Sequence, residues 1–412
     1  MIAIFLLVSV SLVAYQTYRE KNIGNMLAFL VVPYVILVVF NNFFMCRLGF
    51  YEISDKVLLM LTLAFIAFFI GINLIFYNKP CLIYERDNEA RFRSYDIDKM
   101  MILLYAVSAV AFIKLVYLLI RGDITNSEMG SGAVGHLLLI CYAVVPIVFL
   151  YWTYHKKQVK YLIAVLLIVV MNFATFIKYN IIALIVSTFV FSLIYKKSVL
   201  KKACVLLVSV VFFAFCFNYV LDFLMKGVFG QTSIDFYINH LWVYCSGSLI
   251  YDNYVFTTGV NVGMSMFEKL AIFLFALPNM FLSKIFGKRF FPYSIMGFER
   301  VGSVEGQASN VTDAFGYIYP SLGGAVDVIA FYVLIFAVGV LFSLIYFNCK
   351  KQRYRFSPLM SNFLTFFIFL SFFGTFYVLS GPWEILVWSI IVPLFFLRKP
   401  EADFGKTLGK ME

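Results

Sequence analysis

The chain is poor in charge. Asp, Glu, Lys and Arg make up 13% of its 412 residues, against about 25% in soluble globular chains. With 63% hydrophobic residues and a mean hydropathy of +0.91, a water-soluble fold would expose apolar surface everywhere, and that class is excluded. The common nucleotide and metal motifs are also missing: there is no P-loop, no dinucleotide fingerprint, no HExxH and no zinc-ligand spacing. Seven cysteines are scattered, mostly within apolar runs and without paired spacing, so they read as small core residues rather than a disulfide or metal framework. The connection Met45–Lys56 holds a single Glu52 and a single Asp55. It lacks the acidic pair, one residue apart, of metal-dependent glycosyltransferases that use polyprenol sugars. No internal repeat suggests a transporter made of two related halves. No cofactor and no metal enter the reading.

Long apolar runs are what the chain has instead. They recur at about 17–24 residues, close to the ~20 that cross a bilayer as helix. Runs such as Leu162–Met171 do not alternate polar with apolar residues, so helices are expected and barrel strands are not. Candidate spans fall at roughly 2–17, 24–44, 57–77, 100–120, 133–153, 160–177, 180–195, 203–222, 324–347, 358–379 and 383–397. The expected fold is all-α: a polytopic integral membrane bundle of about eleven transmembrane helices, read as one membrane domain over 1–412. The apolar N-terminal run Ile2–Ala14 has no basic region ahead of it and no convincing cleavage site, so it reads as a retained span.

The net charge of +11 does not point to nucleic acid, because the basic residues cluster at span ends. Arg19 and Lys21, Lys79 to Lys99, Lys156 to Lys160, Lys196 to Lys202, Lys350 to Arg355 and the tail from Arg398 mark alternate connections. By the positive-inside rule these face the cytoplasm and contact anionic lipid. The N-terminus is then outside and the C-terminus inside.

One connection stands apart. Residues Phe223–Gly323 form a large polar stretch, expected to face outward and to contain short helices. Within it Phe267–Ile285 is apolar, with Lys269, Pro278, Asn279 and Lys284 interrupting it. That pattern fits an interfacial or re-entrant helix better than a twelfth span. Ile234–Tyr254 reads as a helix whose Tyr237, His240, Tyr244, Gly247, Ser248 and Tyr251 share one face. Such a face suits sugars, which stack on rings and need hydroxyl partners; an interfacial aromatic belt has the same composition. His240 and Asp252 are candidate bases, although a lone histidine is commonly structural. Lys288, Arg289 and Arg300 give the loop a cationic cluster, and arginine matches phosphate oxygens bidentately. Elsewhere, Lys178 stands in a very short outward turn where a cation meets a lipid phosphate, or simply snorkels. Lys114 lies inside a span, and Arg121, Asp123 and Glu128 follow in the next outward loop.

The segment GFERVGSVEGQASNVTDAFGYIYPSLGG, Gly297–Gly324, leads directly into a span. It resembles the end of the large periplasmic loop of bacterial oligosaccharide repeat-unit polymerases, the Wzy-type O-antigen and capsule polymerases. The matching positions are Asn310, Val311, Phe315, Tyr319, Gly323 and Gly324, with the basic turn at Lys178 and the loop's place in the span order agreeing as well. Where family members often carry an acid before the Gly-rich entry, Ser321 and Leu322 stand here, and Asp313 is the candidate for that part.

The resemblance implies polymerisation of lipid-linked repeat units on the outer face of the inner membrane. A glycan on undecaprenyl pyrophosphate is the donor, a second lipid-linked unit supplies the attacking hydroxyl, and the lipid pyrophosphate leaves. Cations are then needed at the leaving group and a base at the hydroxyl. Lys178, Arg289 and Arg300 are the pyrophosphate candidates, with Arg121 a weaker one. His240, Asp252 and Asp313 are the unranked bases. Tyr237, Tyr244, Tyr251 and Asn310 would hold glycan. The partners implied are the undecaprenyl-pyrophosphate-linked oligosaccharide, membrane lipid and a chain-length regulator. The rivals are a flippase or transporter for the same lipid-linked oligosaccharide and a related O-antigen ligase.

Overall fold

A computed structural model describes residues 1–76, 95–121, 129–130, 132–155, 158–175, 178–195, 234–258, 266–288, 290, 298–304, 306–319, 324–351 and 356–397. They are almost wholly helical. Among the described residues six helices are long and apolar enough to cross a membrane: α1 (Ile2–Glu20), α2 (Met26–Phe43), α3 (Asp55–Phe76), α4 (Ile97–Arg121), α5 (Gly132–Tyr154) and α11 (Ala325–Lys351). Shorter apolar helices are α6 (Val159–Ala174), α7 (Lys178–Tyr195), α12 (Ser357–Phe363) and α13 (Ser380–Phe396). The expected span at 203–222 lies outside the described residues. The chain is an all-α protein with the marks of a membrane bundle.

The helices group into two compact units. The first comprises Met1–Leu82, Phe215–Phe347 and Phe363–Glu384. Here α1 and α3 pack side by side, and their register is visible at both ends. The Met1 amino group lies 3.5 Å from Asp55 at the start of α3, while Arg19 donates to Asn73 near its end. Asn25 caps α2 by accepting from Ala28 N at 2.8 Å and ties back to Thr17. Helix α11 meets α3 where both carry glycine. A Cβ on Gly339 would stand 2.7 Å from the Phe68 carbonyl oxygen, and one on Gly71 would stand 3.1 Å from the Phe336 carbonyl carbon and closer to its oxygen. Small residues let backbones approach this closely, which is how apolar helices associate without a hydrophobic driving force. Gly71→Ala is therefore expected to cost about 1–3 kcal/mol by overpacking, read as a lower unfolding temperature of the detergent-solubilised protein.

The second unit comprises Ile83–Ala214, Asn348–Asn362 and Ile385–Glu412. Its helices α4, α5, α6 and α7 form a bundle. At one end Lys160 pairs with Asp98 at 3.0 Å and Tyr161 donates to the same carboxylate at 2.9 Å. Asp96 N donates to Phe396 O at that end. The Lys99 end of α4, the Lys160 end of α6 and the C-terminal end of α13 thus lie together, the arrangement that a shared membrane face requires. Deeper in, Asn362 donates to Tyr142 O at 3.1 Å and to Ser389 Oγ at 2.8 Å, satisfying the NH2 group of a buried amide. Lys114, expected inside a span, is half-buried on α4 and donates to Met129 O at 3.4 Å.

The expected span at 358–379 is corrected. It is not one helix. After α12 the chain forms a π-helical turn, Leu364–Phe369, then leaves the helix and makes a 3-10 turn at Phe376–Val378 before α13. Apolarity alone cannot show such a break, because Phe373 and Phe376 are as apolar as any helix residue. What permits it is that the freed backbone finds partners in the long loop.

Candidate active site

The described part of the long loop builds a cap on the first unit. Helix α8 (Ile234–Thr258) contains the helix expected at Ile234–Tyr254 and runs one turn further. Helix α9 (Met266–Phe286) covers the segment expected to be interfacial. It kinks at Phe275, three residues before Pro278, whose ring clashes with the carbonyl four residues back. It buries Lys269, Ile272, Ala276 and Asn279 on one stripe and exposes Phe281, Leu282, Ile285 and Phe286. A short hairpin follows, β1 (Glu299–Arg300) with β2 (Ala308–Ser309), then α10 (Ala314–Ile318).

Connection 45–54 is woven into this cap. Phe50 pairs with Gly302, Tyr51 N donates to Val301 O at 3.0 Å, and Gln307 Nε2 donates to Leu48 O at 3.0 Å. From α8, Asn253 accepts from Ser54 N at 2.8 Å and donates to Glu52 O at 2.7 Å. Asn41, at the end of α2, accepts from Trp242 Nε1 at 3.0 Å. The N-terminus, residues 45–54 and the described part of the loop therefore lie at one end of the unit.

At the centre of the cap two carboxyl groups face each other. Asp252 comes from α8 and Asp313 from the residue before α10, and both are 0% exposed. Asp313 caps α10 by accepting from Gly316 N, and its side chain lies close enough to Asp252 for each carboxyl to act on the other's proton, although no hydrogen bond joins them as ionised groups. Asp252 lies directly on Gly316, where a Cβ would stand 2.6 Å from Oδ2 and closer to the other carboxyl atoms. Tyr34 of α2, fully buried, brings its hydroxyl toward Asp313 and Ser371, although neither approach closes into a hydrogen bond of ordinary geometry. Its ring packs against Phe65, Phe315 and Phe372 at 5.5, 5.7 and 6.3 Å. The broken-helix segment closes the site: Ala314 N donates to Ser371 O at 2.9 Å, Ser248 Oγ donates to Phe372 O, and Tyr377 donates to Ala314 O at 3.2 Å.

Burial dominates the electrostatics. It lifts Asp252 well above the ordinary carboxylate range, and the charge of Asp313 lifts it further. Burial also lifts Asp313, but its contact with Asp252 and the N–H groups of Gly316 and Phe315 hold it back. The two acids thus have unequal environments, the usual way to separate acid from base. Nearby, Lys269 is 3% exposed with its ammonium 5.9 Å from the Tyr317 ring centre, and burial lowers it to about 8. Among the described residues no three His, Cys, Asp or Glu side chains gather as metal ligands.

Of the residues singled out from sequence, the structure unites Asp252 and Asp313 and sets Tyr251 beside them, 2% exposed and within the field of Asp252. Tyr244 is half-buried and stacks on Phe373 at 6.1 Å. With Ser248 on Phe372 and Gly247 against Ser309, the tyrosine-rich face of α8 makes protein contacts at these positions. Asn310 is half-buried just after β2, and Arg300 is exposed on β1. Arg121 ends α4 in the second unit, exposed, with its guanidinium 5.1 Å from the Tyr117 ring centre. Lys178 opens α7, so it begins a helix rather than sitting in a turn; its side chain lies outside the described residues. So do the side chains of Tyr237 and His240 on α8, and all of Arg289. Lys288 is exposed, 5.9 Å from the Phe290 ring centre. Tyr34, Gly316 and Ser371 were not found by sequence reasoning, since an aromatic in a span, a loop glycine and a span serine carry no signal of their own.

No protein-family model, curated protein or solved structure matches this chain.

Proposed function

We propose that this membrane protein polymerises glycan repeat units carried on a polyprenyl pyrophosphate, at the outer face of a bacterial inner membrane. The observation that supports this reading best is the carboxyl pair Asp252–Asp313 inside the polar loop. Glycosyl transfer from an activated lipid donor needs a base for the acceptor hydroxyl and a cation at the departing pyrophosphate; it needs no nucleotide. The pair is the base in this reading. Arg300, exposed on the hairpin of the same cap, is the first cation, with Lys178, Arg289 and Arg121 as further ones. Asn310 and Tyr244 would meet the sugars. The full count of eleven spans, with a single outward loop over Phe223–Gly323, belongs to the same proposal.

Because both carboxyls are sealed, the reaction requires the cap to loosen when glycan enters. The contacts that must give join 369–378 to the loop, among them Ser248 to Phe372, Ala314 to Ser371 and Tyr377 to Ala314. The experiment is a chain-length ladder in cells whose own polymerase is deleted. Arg300→Ala and Lys178→Ala, each expressed at the normal level, are expected to shorten or erase it. An unchanged ladder in both would remove the cation assignment.

One observation favours a second reading. A broken apolar helix beside a buried protonatable pair is also the build of a proton-coupled transporter for a lipid-linked oligosaccharide. The same strain separates the two. Loss of a polymerase leaves single units on the outer face, whereas loss of a flippase leaves them on the inner one.

A further inference from the structure

A buried carboxylate needs hydrogen-bond donors. Asp252 has both oxygens enclosed and neither accepts a hydrogen bond, and Asp313 Oδ2 is likewise unsatisfied. An ionised carboxylate only accepts, so two facing carboxylates cannot satisfy each other. A proton on either one supplies the missing donor, and an unpaired buried charge would otherwise be costly. We propose that Asp252 and Asp313 bind one proton between them, with Asp252 as the acid and Asp313 as the anion. The proposal deepens the reading above, naming the protonation state of the same site, but its test involves no activity.

The asymmetry follows from the local fold. Asp313 sits at the start of α10, where the Gly316 N–H points at its side chain and the helix dipole favours negative charge. Asp252 is placed in the middle of a longer helix, pressed on the Cα of Gly316, and the Asp313 backbone N–H that approaches it does not close into a hydrogen bond of ordinary geometry. Among the described residues, the other titratable groups around the pair bring no third carboxylate into contact. They are Tyr34 from α2, Tyr251 on α8 itself, Tyr317 from α10 and Tyr377 from the 3-10 turn. Lys269 of α9 is turned to the ring of Tyr317, and Glu299 of β1 faces Tyr251 and Tyr254.

The proton also holds the cap shut. A folded pair that keeps a proton above the ordinary carboxylate range binds more protons than the unfolded chain. Its contribution is complete below that range, about pH 4, and is lost as the pH rises through the folded pair's own titration. Stability is therefore expected to fall with rising pH across that window.

Infrared spectroscopy of the purified full-length protein tests the assignment. At neutral pH a protonated-carboxyl carbonyl band is expected that shifts in heavy water. Asp252→Asn should erase it, because asparagine imitates the neutral acid and leaves Asp313 ionised. Asp313→Asn should keep it, shifted, since Asp252 remains in its apolar seat. Asp252→Asn should also flatten the decline of unfolding temperature with pH. If Asp252→Asn does not fold, the wild-type band is followed alone: it should fade as the pH is raised from mildly acidic to alkaline. A band that survives Asp252→Asn, a band lost only in Asp313→Asn, or a wild type with no titrating band at any of these pH values overturns the proposal.

Discussion

Replacing Asp313 with alanine is expected to abolish the polymer ladder, with turnover down about 10²–10⁴-fold, the usual worth of a positioned base. Two losses coincide in this variant. The anion that would take the hydroxyl proton is gone, and α10 loses its cap, at about 0.5–2 kcal/mol. Asp313→Asn separates them. Asparagine caps helices about as well as aspartate, so the cap persists while the charge does not. Full-length protein at wild-type level with no ladder is the expected result for Asp313→Asn in cells lacking their own polymerase. A normal ladder in that variant would show that Asp313 only caps the helix, and the base would have to be sought in Asp252 or His240.

The choice of Asp313 depends on geometry that sequence pattern reaches only in part. Unbroken apolar runs located the long apolar helices among the described residues, because a lipid-facing helix must be apolar along its whole length and that requirement is written residue by residue. Periodicity placed Ile234–Tyr254 as helix, inside the observed α8. The break at 364–378 was missed for a physical reason. Its freed carbonyls at Ser371 and Phe372 are satisfied by Ala314 and Ser248, which stand far away in the chain. A partner at that separation leaves no local mark. The same holds for the pairing of Asp252 with Asp313. Each was a candidate by residue type, but their meeting depends on α10 folding back across α8. The tyrosine-rich face of α8 shows the converse. Rings and hydroxyls suited to a sugar also suit an irregular backbone, and Ser248 and Tyr244 are used on the broken helix.

The second large effect is expected at a residue with no side chain. Gly316 lies beneath the Asp252 carboxyl so closely that an added Cβ would stand 2.6 Å from Oδ2 and nearer still to the other carboxyl atoms. Real Cβ atoms do not tolerate such contacts, so in Gly316→Ala something must move. The helix is held against yielding, since Ala314 N is fixed to Ser371 O and Tyr319 N to Phe315 O. Asp252 must swing instead, yet it is 0% exposed, and a close-packed interior leaves a displaced side chain little room. Overpacking of this kind costs about 1–3 kcal/mol, and here it also parts the two carboxyls. Gly316→Ala is therefore expected to lower the unfolding temperature, to erase the ladder, and to remove the pH dependence that the shared proton confers. The double variant Gly316→Ala with Asp252→Ala decides between steric and chemical causes. Removing the carboxyl makes room for the methyl, so stability should recover while the ladder stays absent. If stability does not recover, the clash lies elsewhere in α10 and the close seat of Asp252 on Gly316 is not what holds the pair in place.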